Sequence, residues 1–515
     1  MRDYIGDEPS LPGKPTSVWL DRVPDREFPR LEGDRTADVV VVGGGLVGVA
    51  TAFMLRRSGQ QVILLEGREV LGDVTGHTTA KATVQHGAVY AHLRDQIGEL
   101  AAVTYAEANF AGLNAIVTLA RELAIDCGLE RVDSYLYAET DDGLVEVLRE
   151  VAACEALGMP VEYTESVPAP FQVRGAVRLP DQAVFDPVAF GFGLLDASDG
   201  VEVVLGHAHT VRDRDDGRVE VVTDGGSVAG WSVVMATNYP FWDRGGFFTR
   251  LYPYRSYALA ARLAEDVPRD AFYSLDSEMG LRRWDGPEGP LAIVSGEHHK
   301  AGQGGDERER YAALEQRARE RLPIESVAFH WSTQDNRTPD KLPYVGRAPF
   351  SERVFLATGF RAWGMTNALA AATLLTDLVL HRPNSWASVF DPRRVRPVAS
   401  AATFVAENFD VARHFVADRM RPTPKPARDL ALGEGEIVDR GGHIAAIHRA
   451  DDGSLHALDA RCRHLDCIVG WNEAEQTWDC PCHGSRYLRD GSFLHGPASR
   501  PLRQAREQEW TEGAD

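Results

Sequence analysis

Two short motifs near the C-terminus, Cys462-x-His464 and Cys480-x-x-His483, are separated by 15 residues. Cys467 and Cys482 lie close by, so four of the six cysteines of the chain occupy one short segment. In a cytosolic chain, such crowding indicates a metal site before structural disulfides. Two cysteines and two histidines suit zinc, but they also suit a 2Fe-2S cluster in which the cysteines hold one iron and the histidines hold the other.

The sequence around these motifs, CRHLDCIVGWNEAEQTWDCPCHGSRYLRDGSFLHGPASRPL, resembles the Rieske domain of cytochrome bc complexes over about residues 427–505. By this resemblance the cluster ligands are Cys462, His464, Cys480 and His483. The resemblance also implies a disulfide between Cys467 and Cys482, and a loop at 495–497 that shields the cluster. The hydroxyls of Ser485 and Tyr487 would donate to cluster or cysteine sulfur, which withdraws negative charge and raises the reduction potential.

The N-terminal part contains a second motif. Gly43, Gly45 and Gly48 form GxGxxG directly after the apolar strand Val39–Val42 and at the start of a predicted helix. Glycines at these positions allow the tight turn, the close approach of a pyrophosphate and the packing of helix on strand, while the helix N-terminus supplies amide donors. Glu66 ends the next predicted strand, where a carboxylate can bond ribose hydroxyls. The pattern predicts a dinucleotide site.

Three further blocks distinguish FAD from NAD. GDVTGHTTAKATVQHG, VVMATNYP and TPDKLPYVGRAPFSERVFLATGFRAWGMTNALAAATLL together resemble the glycine/D-amino-acid oxidase family of flavoproteins, over about residues 36–392. The resemblance implies an α/β FAD-binding domain with an inserted, mainly antiparallel β substrate domain. A helix starting near Trp363 would then point its N-terminus at the flavin. The implied FAD-contacting residues are Gly43, Gly45, Gly48, Glu66, His77, Thr78, Thr79, Thr237, Gly359, Gly364, Met365 and Thr366.

The catalytic candidates are Asp335, Lys81 and His86. Members of this family that oxidise amino acids carry a carboxylate-binding arginine just before the TPD block, and that position here is Asp335. This departure favours a cationic amine as substrate, although a shift in alignment would bring in Arg337 instead. Lys81 and His86 lie in the block expected to wrap the flavin, where ordinary polar packing is the alternative. The role of the segment 298–300 (His-His-Lys) stays open.

The chain is predicted to contain four parts: an N-terminal arm (1–36), the FAD-dependent oxidoreductase (37–395), a helical and proline-rich linker (396–426) and the Rieske domain (427–508), which is small and all-β. Strands are expected at 252–263 and 291–296. Helices are expected at about 91–123, 143–157, 306–321, 363–381 and 404–419.

The net charge of −21 argues against a nucleic-acid-binding surface, because such surfaces need clustered Lys and Arg. No apolar run approaches the roughly 20 residues that span a bilayer, and the N-terminus resembles no signal peptide. We therefore expect a cytoplasmic protein.

A second GxGxxG motif is absent from the sequence, which favours an organic electron donor over a nicotinamide. The leading hypothesis is an FAD-dependent dehydrogenase that acts on the CH-NH bond of an amine-like or amino-acid-like small molecule. Electrons would pass from FAD to the Rieske 2Fe-2S cluster and on to a one-electron acceptor protein or a quinone. The alternatives are an oxygen-using oxidase with a structural cluster, and an electron-transfer protein that serves a partner enzyme.

Overall fold

The structure is a computed structural model, and it describes residues 11–24, 26–396, 408–409, 411, 413, 429–440 and 443–505. Most of the predicted linker, including the helix expected at 404–419, lies outside the described residues. None of the helices in the described ranges combines the length and apolar character needed to cross a membrane.

A six-stranded sheet forms the centre of the FAD-binding part. Its strands, in spatial order, are β18 (Tyr344–Arg347), β19 (Val354–Thr358), β12 (Ser232–Met235), β2 (Val39–Val42), β3 (Val62–Glu66) and β8 (Val201–Leu205). All neighbours are parallel except β18 with β19. Because the inner strands are apolar along their whole length, both faces of the sheet must be covered.

Helices bury one face of this sheet in the largest apolar core of the described chain. The helices of this core are α1 (Leu46–Arg57), α2 (Val89–His92), α3 (Glu99–Glu122), α5 (Pro187–Asp196), α7 (Gly364–Val379) and α8 (Ala387–Phe390). Two further helices, α4 (Asp141–Ala156) and α6 (Glu307–Arg319), pack mainly on the nine-stranded sheet described below. A small sheet of β1 (Arg35–Thr36), β11 (Ser227–Gly230), β10 (Val219–Thr223) and β9 (Ala208–Asp213) contributes to a second apolar core with the strands of the six-stranded sheet.

The substrate part is a nine-stranded, mainly antiparallel sheet. It consists, in spatial order, of β17 (Ile324–Arg337), β13 (Tyr252–Leu263), β16 (Gly289–Lys300), β15 (Gly280–Gly286), β14 (Ala271–Ser274), β5 (Glu130–Ala138), β7 (Gly175–Val184) and β4 (Lys81–Ala82), with β6 (Glu162–Thr164) pairing β7. The strand predicted at 252–263 has those bounds, and the one predicted at 291–296 extends to 289–300.

The C-terminal domain contains two small antiparallel sheets. One is built from β20 (Gly435–Arg440), β21 (His443–Arg449) and β22 (Leu455–Asp459), and the other from β23 (Gly470–Asn472), β24 (Thr477–Asp479), β25 (Arg486–Leu488) and β26 (Phe493–His495). This arrangement confirms the predicted fold class: an α/β domain with an antiparallel β insertion, followed by a small all-β domain.

Candidate flavin and cluster sites

A cavity of about 420 Å³ opens at the carboxyl ends of β2 and β12. It runs from Gly43, Gly45 and Glu66 at one end to Ser295 and His298 of the substrate sheet at the other. Ligands of open α/β sheets bind at this edge of the sheet. The shape therefore allows an extended dinucleotide with its reactive ring next to a substrate chamber.

The glycines of the GxGxxG turn leave no room for side chains. Gly43 has φ +103°, and a Cβ there would lie 2.5 Å from the carbonyl oxygen of Ala236. A Cβ on Gly48 would overlap the carbonyl oxygen of Gly43, so α1 packs directly on the turn. Glu66 accepts hydrogen bonds from the amides of Gly44 (2.6 Å) and Arg68 (2.8 Å), and burial raises its pKa. This cradle fits the pyrophosphate and ribose of FAD.

The segment after Gly76 forms one wall of the cavity, to which His77, Thr78, Thr79 and Lys81 all contribute. The Lys81 Nζ atom donates to the carbonyl oxygen of Phe272 (3.3 Å) and lies 5.6 Å from the Tyr273 ring centroid. Burial lowers the pKa of Lys81 to about 7. Neutral and protonated amine are therefore both available near neutral pH.

His86 also lines the cavity, but both its nitrogens are already engaged. Nε2 lies 2.7 Å from the carbonyl oxygen of Thr83 and Nδ1 lies 2.6 Å from the hydroxyl of Tyr105. Because a carbonyl only accepts, Nε2 carries the proton and Nδ1 accepts from Tyr105. Burial lowers the pKa of His86 to about 3, and its ring stacks on Trp363. These contacts indicate that His86 orients the side chains around it.

The start of α7 reaches the cavity as the resemblance implied, with Gly364 and Met365 in its wall and Thr237 opposite. Three predicted FAD contacts do not line the cavity: Gly48, which packs against the carbonyl oxygen of Gly43, and Gly359 and Thr366. Thr366 points into the protein, where its hydroxyl donates to Asn109 Oδ1 (2.7 Å). Gly359 lies against Thr338 behind the wall, and its neighbours Thr358 and Phe360 line the cavity instead. Direct contact of Gly359 and Thr366 with the flavin ring stays a prediction.

Asp335 lines the cavity with both carboxylate oxygens committed to the backbone. They accept from the amides of Asn336 (2.7 Å) and Ala362 (2.6 Å). Burial outweighs these hydrogen bonds and raises the pKa of Asp335 to about 6. Its binding of a cationic substrate stays a prediction, and its visible role is to hold the turn at Arg361–Ala362 before α7.

Basic groups outnumber acidic ones at the substrate end of the cavity. Arg337 lies over the Tyr254 ring (3.9 Å) and 3.7 Å from Glu278, and it contributes to the cavity wall. The cationic residues of this wall are Lys81, Arg337, Lys341 and Arg361, and the acidic ones are Asp335 and Glu278. His298 is on strand β16 and hydrogen-bonds to Ser256 (2.6 Å), so this residue belongs to the chamber.

The cluster motifs meet in the C-terminal domain. Cys462 and Cys480 are buried free thiols, and the rings of His464 and His483 lie 5.0 Å apart. Among the described residues, neither histidine Nδ1 atom has a hydrogen-bond partner. Burial lowers the pKa of His464 to about 4 and that of His483 to about 3, which keeps both imidazoles neutral. Two buried sulfurs and two free neutral imidazole nitrogens fit a Rieske cluster.

The residues around the predicted ligands form a disulfide and several hydrogen bonds. The structure contains a disulfide between Cys467 and Cys482, and the Cys480 sulfur lies within 4.8 Å of both their sulfurs. The hydroxyl of Tyr487 lies 3.3 Å from Cys462 Sγ and accepts from the Arg463 amide (3.0 Å). The Ser485 hydroxyl accepts from the amide of Ala498 (3.2 Å), which ties the segment that follows residues 495–497 to the cluster loop.

The histidine edge of the cluster site faces the FAD-binding part. The ring of Phe248 lies 6.0 Å from that of His464 and 5.8 Å from that of His483. The segment 493–498 of the Rieske domain supplies part of the cavity wall itself. Sequence reasoning missed this contribution because no local motif indicates which surfaces of two domains will meet.

Similarity to known sequences covers both parts of this chain. Residues 38–378 match the DAO family of FAD dependent oxidoreductases, and residues 424–506 match the Rieske [2Fe-2S] domain. The Rieske 2Fe-2S iron-sulfur protein YhfW of Bacillus subtilis (strain 168) is 35% identical over 497 residues, which cover 95% of this chain and 97% of that protein. The cytochrome b6-f complex iron-sulfur subunit of Chlorobaculum tepidum is 40% identical over 80 residues, or 15% of this chain and 43% of that subunit.

Solved structures show the same fold for the N-terminal part. Glycine oxidase from Geobacillus kaustophilus superimposes with a TM-score of 0.59 at 20% identity, covering 70% of this chain and all of that one. L-amino acid deaminase from Proteus myxofaciens, in complex with anthranilate, has a TM-score of 0.59 at 16% identity and covers 75% of this chain.

Proposed function

The chain belongs to the DAO family of FAD-dependent oxidoreductases and carries a Rieske [2Fe-2S] domain, and from this premise we propose that it oxidises a CH-NH bond of an amino-acid-like substrate and delivers the electrons through the cluster to an external one-electron acceptor. When bound, FAD supplies two-electron chemistry and the cluster supplies one-electron transfer. The carrying observation is the shared cavity: the Rieske segment 493–498 and the flavin-binding residues line the same space.

The charge of the chamber supports a substrate with a carboxylate. Arg337 and Arg361 line the chamber together with Lys341, and guanidinium groups bind carboxylates with paired hydrogen bonds. The nearby acids, Asp335 and Glu278, compensate only part of this charge, because they are fewer than the cationic groups. An amino-acid derivative therefore fits better than the bare cationic amine that the sequence favoured.

Lys81 is the group best suited to move a proton. A substrate ammonium must lose a proton before its CH-NH bond can be oxidised. With a pKa lowered by burial to about 7, the Lys81 Nζ atom is largely neutral above that pH and accepts the proton. The engaged nitrogens of His86 leave that residue to orient Tyr105 and the start of α7.

An anaerobic stopped-flow screen tests the function. Amino acids and N-substituted amino acids are compared with the matching decarboxylated amines, and loss of the oxidised-flavin absorbance is followed. We expect bleaching by a carboxylate-bearing compound and a dissociation constant at least about tenfold higher for its decarboxylated partner. Failure of every compound to bleach the flavin contradicts the proposed oxidation of a CH-NH bond, and equal binding of both partners contradicts the role of the carboxylate.

A pair of arginine variants locates the binding group. Arg337→Met should weaken binding of the carboxylate substrate roughly ten- to a hundredfold, as expected for the loss of a charged hydrogen bond of about 1.5–3 kcal/mol. Arg262→Met is the matched control, because Arg262 pairs with Glu288 at an exposed edge of the same sheet. Stoichiometric peroxide formation in air, with no faster turnover on one-electron acceptors, would instead support the oxidase alternative.

A further inference from the structure

The segment 493–498 of the Rieske domain closes the flavin cavity at the end where β3 finishes. Its cavity-lining members are Phe493, Leu494, His495, Gly496 and Ala498. Arg68, two residues after Glu66, donates to the carbonyl oxygen of Leu494 (3.0 Å). His495 Nδ1 lies 2.9 Å from an oxygen of Asp73, and the Phe493 ring lies 5.0 Å from that of His207. The loop thus contacts residues that themselves line the cavity.

A buried ionic network holds the two domains in this position. Arg255, on β13 of the substrate sheet, is fully buried and donates to both oxygens of Glu475 at 2.5 Å. Glu475 belongs to the Rieske domain, where it also accepts from Arg486 (2.6 Å). Arg486 in turn bonds Asp479 (3.0 Å), so two arginines neutralise two carboxylates. Separation of the domains would break this network and open the cavity to water at the same time.

The surfaces also meet at the level of the backbone. Gly302, in the loop between β16 and α6, has φ +70°, and a Cβ there would lie 2.7 Å from the backbone of Cys480 and Pro481. A Cβ on Gly484 of the Rieske domain would lie 2.7 Å from side-chain atoms of Pro253 and Gln334. At both glycines the two domains touch with no room for an added methyl group, which leaves little freedom for the Rieske domain to shift.

We propose that the Rieske loop 493–498 is part of the FAD-binding site, and that FAD retention depends on the docked Rieske domain. The domain then has a binding role besides its redox role. This inference does not depend on the substrate, since it concerns how tightly the folded chain holds its flavin.

Two alanine substitutions in one loop test the proposal. FAD-depleted protein that retains its cluster is titrated with FAD, and quenching of flavin fluorescence gives the dissociation constant. Gly302→Ala should push against the Rieske domain and raise this constant about tenfold or more. Gly305→Ala is the matched control, because Gly305 also has a positive φ (+87°) but nothing within 4 Å of its Cβ position. Its FAD affinity should equal that of the parent.

A second variant removes the network without adding bulk. Arg255→Met should weaken FAD binding in the same direction, while the paramagnetic resonance spectrum of the reduced cluster stays that of the parent. Hydrogen exchange of the amides at 493–498 should become faster in both Gly302→Ala and Arg255→Met. Parent-like FAD affinity in both variants overturns the proposal. Equal FAD loss in Gly302→Ala and Gly305→Ala also overturns it, because strain in the loop would then explain the effect.

Discussion

Tyr487 and Ser485 have the positions from which a single hydroxyl can tune a metal cluster. The Tyr487 hydroxyl accepts the amide hydrogen of Arg463, which directs its own hydrogen towards Cys462 Sγ, 3.3 Å away. Ser485 is fully buried, next to Ala498 and the cluster loops. Donated hydrogen bonds stabilise the more negative, reduced cluster.

Replacement of Tyr487 by Phe or of Ser485 by Ala should lower the cluster midpoint potential. A hydrogen bond to a charged group contributes up to about 3 kcal/mol, which sets an upper limit of roughly 130 mV for a one-electron couple. Potentiometric titration monitored by paramagnetic resonance measures the shift. Ser454→Ala is a suitable control, because Ser454 bonds Asp452 in an exposed turn of the same domain. Midpoints unchanged in both test variants would remove the hydrogen-bond argument.

Residue roles differ in how far the sequence determines them. The cluster ligands were predictable because their spacing is local and their chemistry is specific. The sequence also indicated Asp335 as a candidate site residue, but it did not indicate the hydrogen bonds that Asp335 accepts from Asn336 and Ala362. The bond to Ala362 depends on how the turn before α7 folds back onto β17, and no residue type signals that contact.

At the scale of one element, the turn between β2 and α1 determines whether FAD has a phosphate cradle. The carbonyl of Gly43 occupies the space next to Gly48, so turn and helix touch backbone to backbone. Gly45 differs from Gly48 in this respect. A Cβ at Gly45 would meet only the Thr75 hydroxyl oxygen at 3.4 Å, an ordinary contact.

Gly48→Ala should destabilise the fold, and Gly45→Ala should leave it intact. Gly48→Ala forces α1 away from the turn, and overpacking of this kind lowers the free energy of unfolding by about 1–3 kcal/mol. Gly45→Ala should leave the melting temperature of the FAD-free protein equal to that of the parent. It should lower FAD affinity, because its methyl group enters the cavity. Calorimetry and FAD titration of both variants measure these effects. Equal melting temperatures for the two variants would contradict the packing argument.

Secondary structure followed the apolar periodicity closely, and its exceptions have local causes. The helix predicted at 91–123 is instead α2, a π-helical turn at Leu93–Ile97 and α3. Gly98 separates them with φ +119°, a conformation that an L-residue rarely adopts. An amphipathic pattern continues across such a break, because the apolar face on either side still points at the same core.

At the scale of the whole molecule, the relation between the two domains was the least predictable feature. Both domains carry motifs, but the contacts that join them are pairs such as Arg255 with Glu475, which lie 220 residues apart. The sequence predicted that electrons pass from FAD to the cluster, whose histidine edge is formed by His464 and His483. In the structure, this edge packs on Phe248, while the loop 493–498 enters the cavity wall.

Gln334 forms a bonded connection across the domain interface between a cluster loop and residues of the cavity. Its Nε2 atom donates to the carbonyl oxygen of Gly484 (2.7 Å), the residue that follows His483. The backbone carbonyl oxygen of Gln334 accepts from the side-chain amide of Asn238 (3.2 Å). Asn238 lines the cavity, and so does Asp335, the residue that follows Gln334 in the chain. Electrons cross a bonded path more readily than a gap, so this side chain should assist transfer between the two cofactor sites.

Gln334→Leu should therefore slow reduction of the cluster about tenfold or more, which corresponds to an increase of roughly 1.4 kcal/mol in the effective barrier. Reduction of the flavin by substrate should keep the rate of the parent. Stopped-flow absorbance at flavin and cluster bands separates the two steps. Gln303→Leu is the matched control, because Gln303 also donates across the interface, to the carbonyl oxygen of Pro481 (3.1 Å), but its neighbours in the chain do not line the cavity, whereas Thr333 and Asp335 do. Cys480→Ser, which removes a cluster ligand, provides the limit of flavin reduction without cluster reduction. If Gln334→Leu and Gln303→Leu both reduce their clusters at the parent rate, the path through Gln334 is wrong and the electrons leave the cavity elsewhere along the interface.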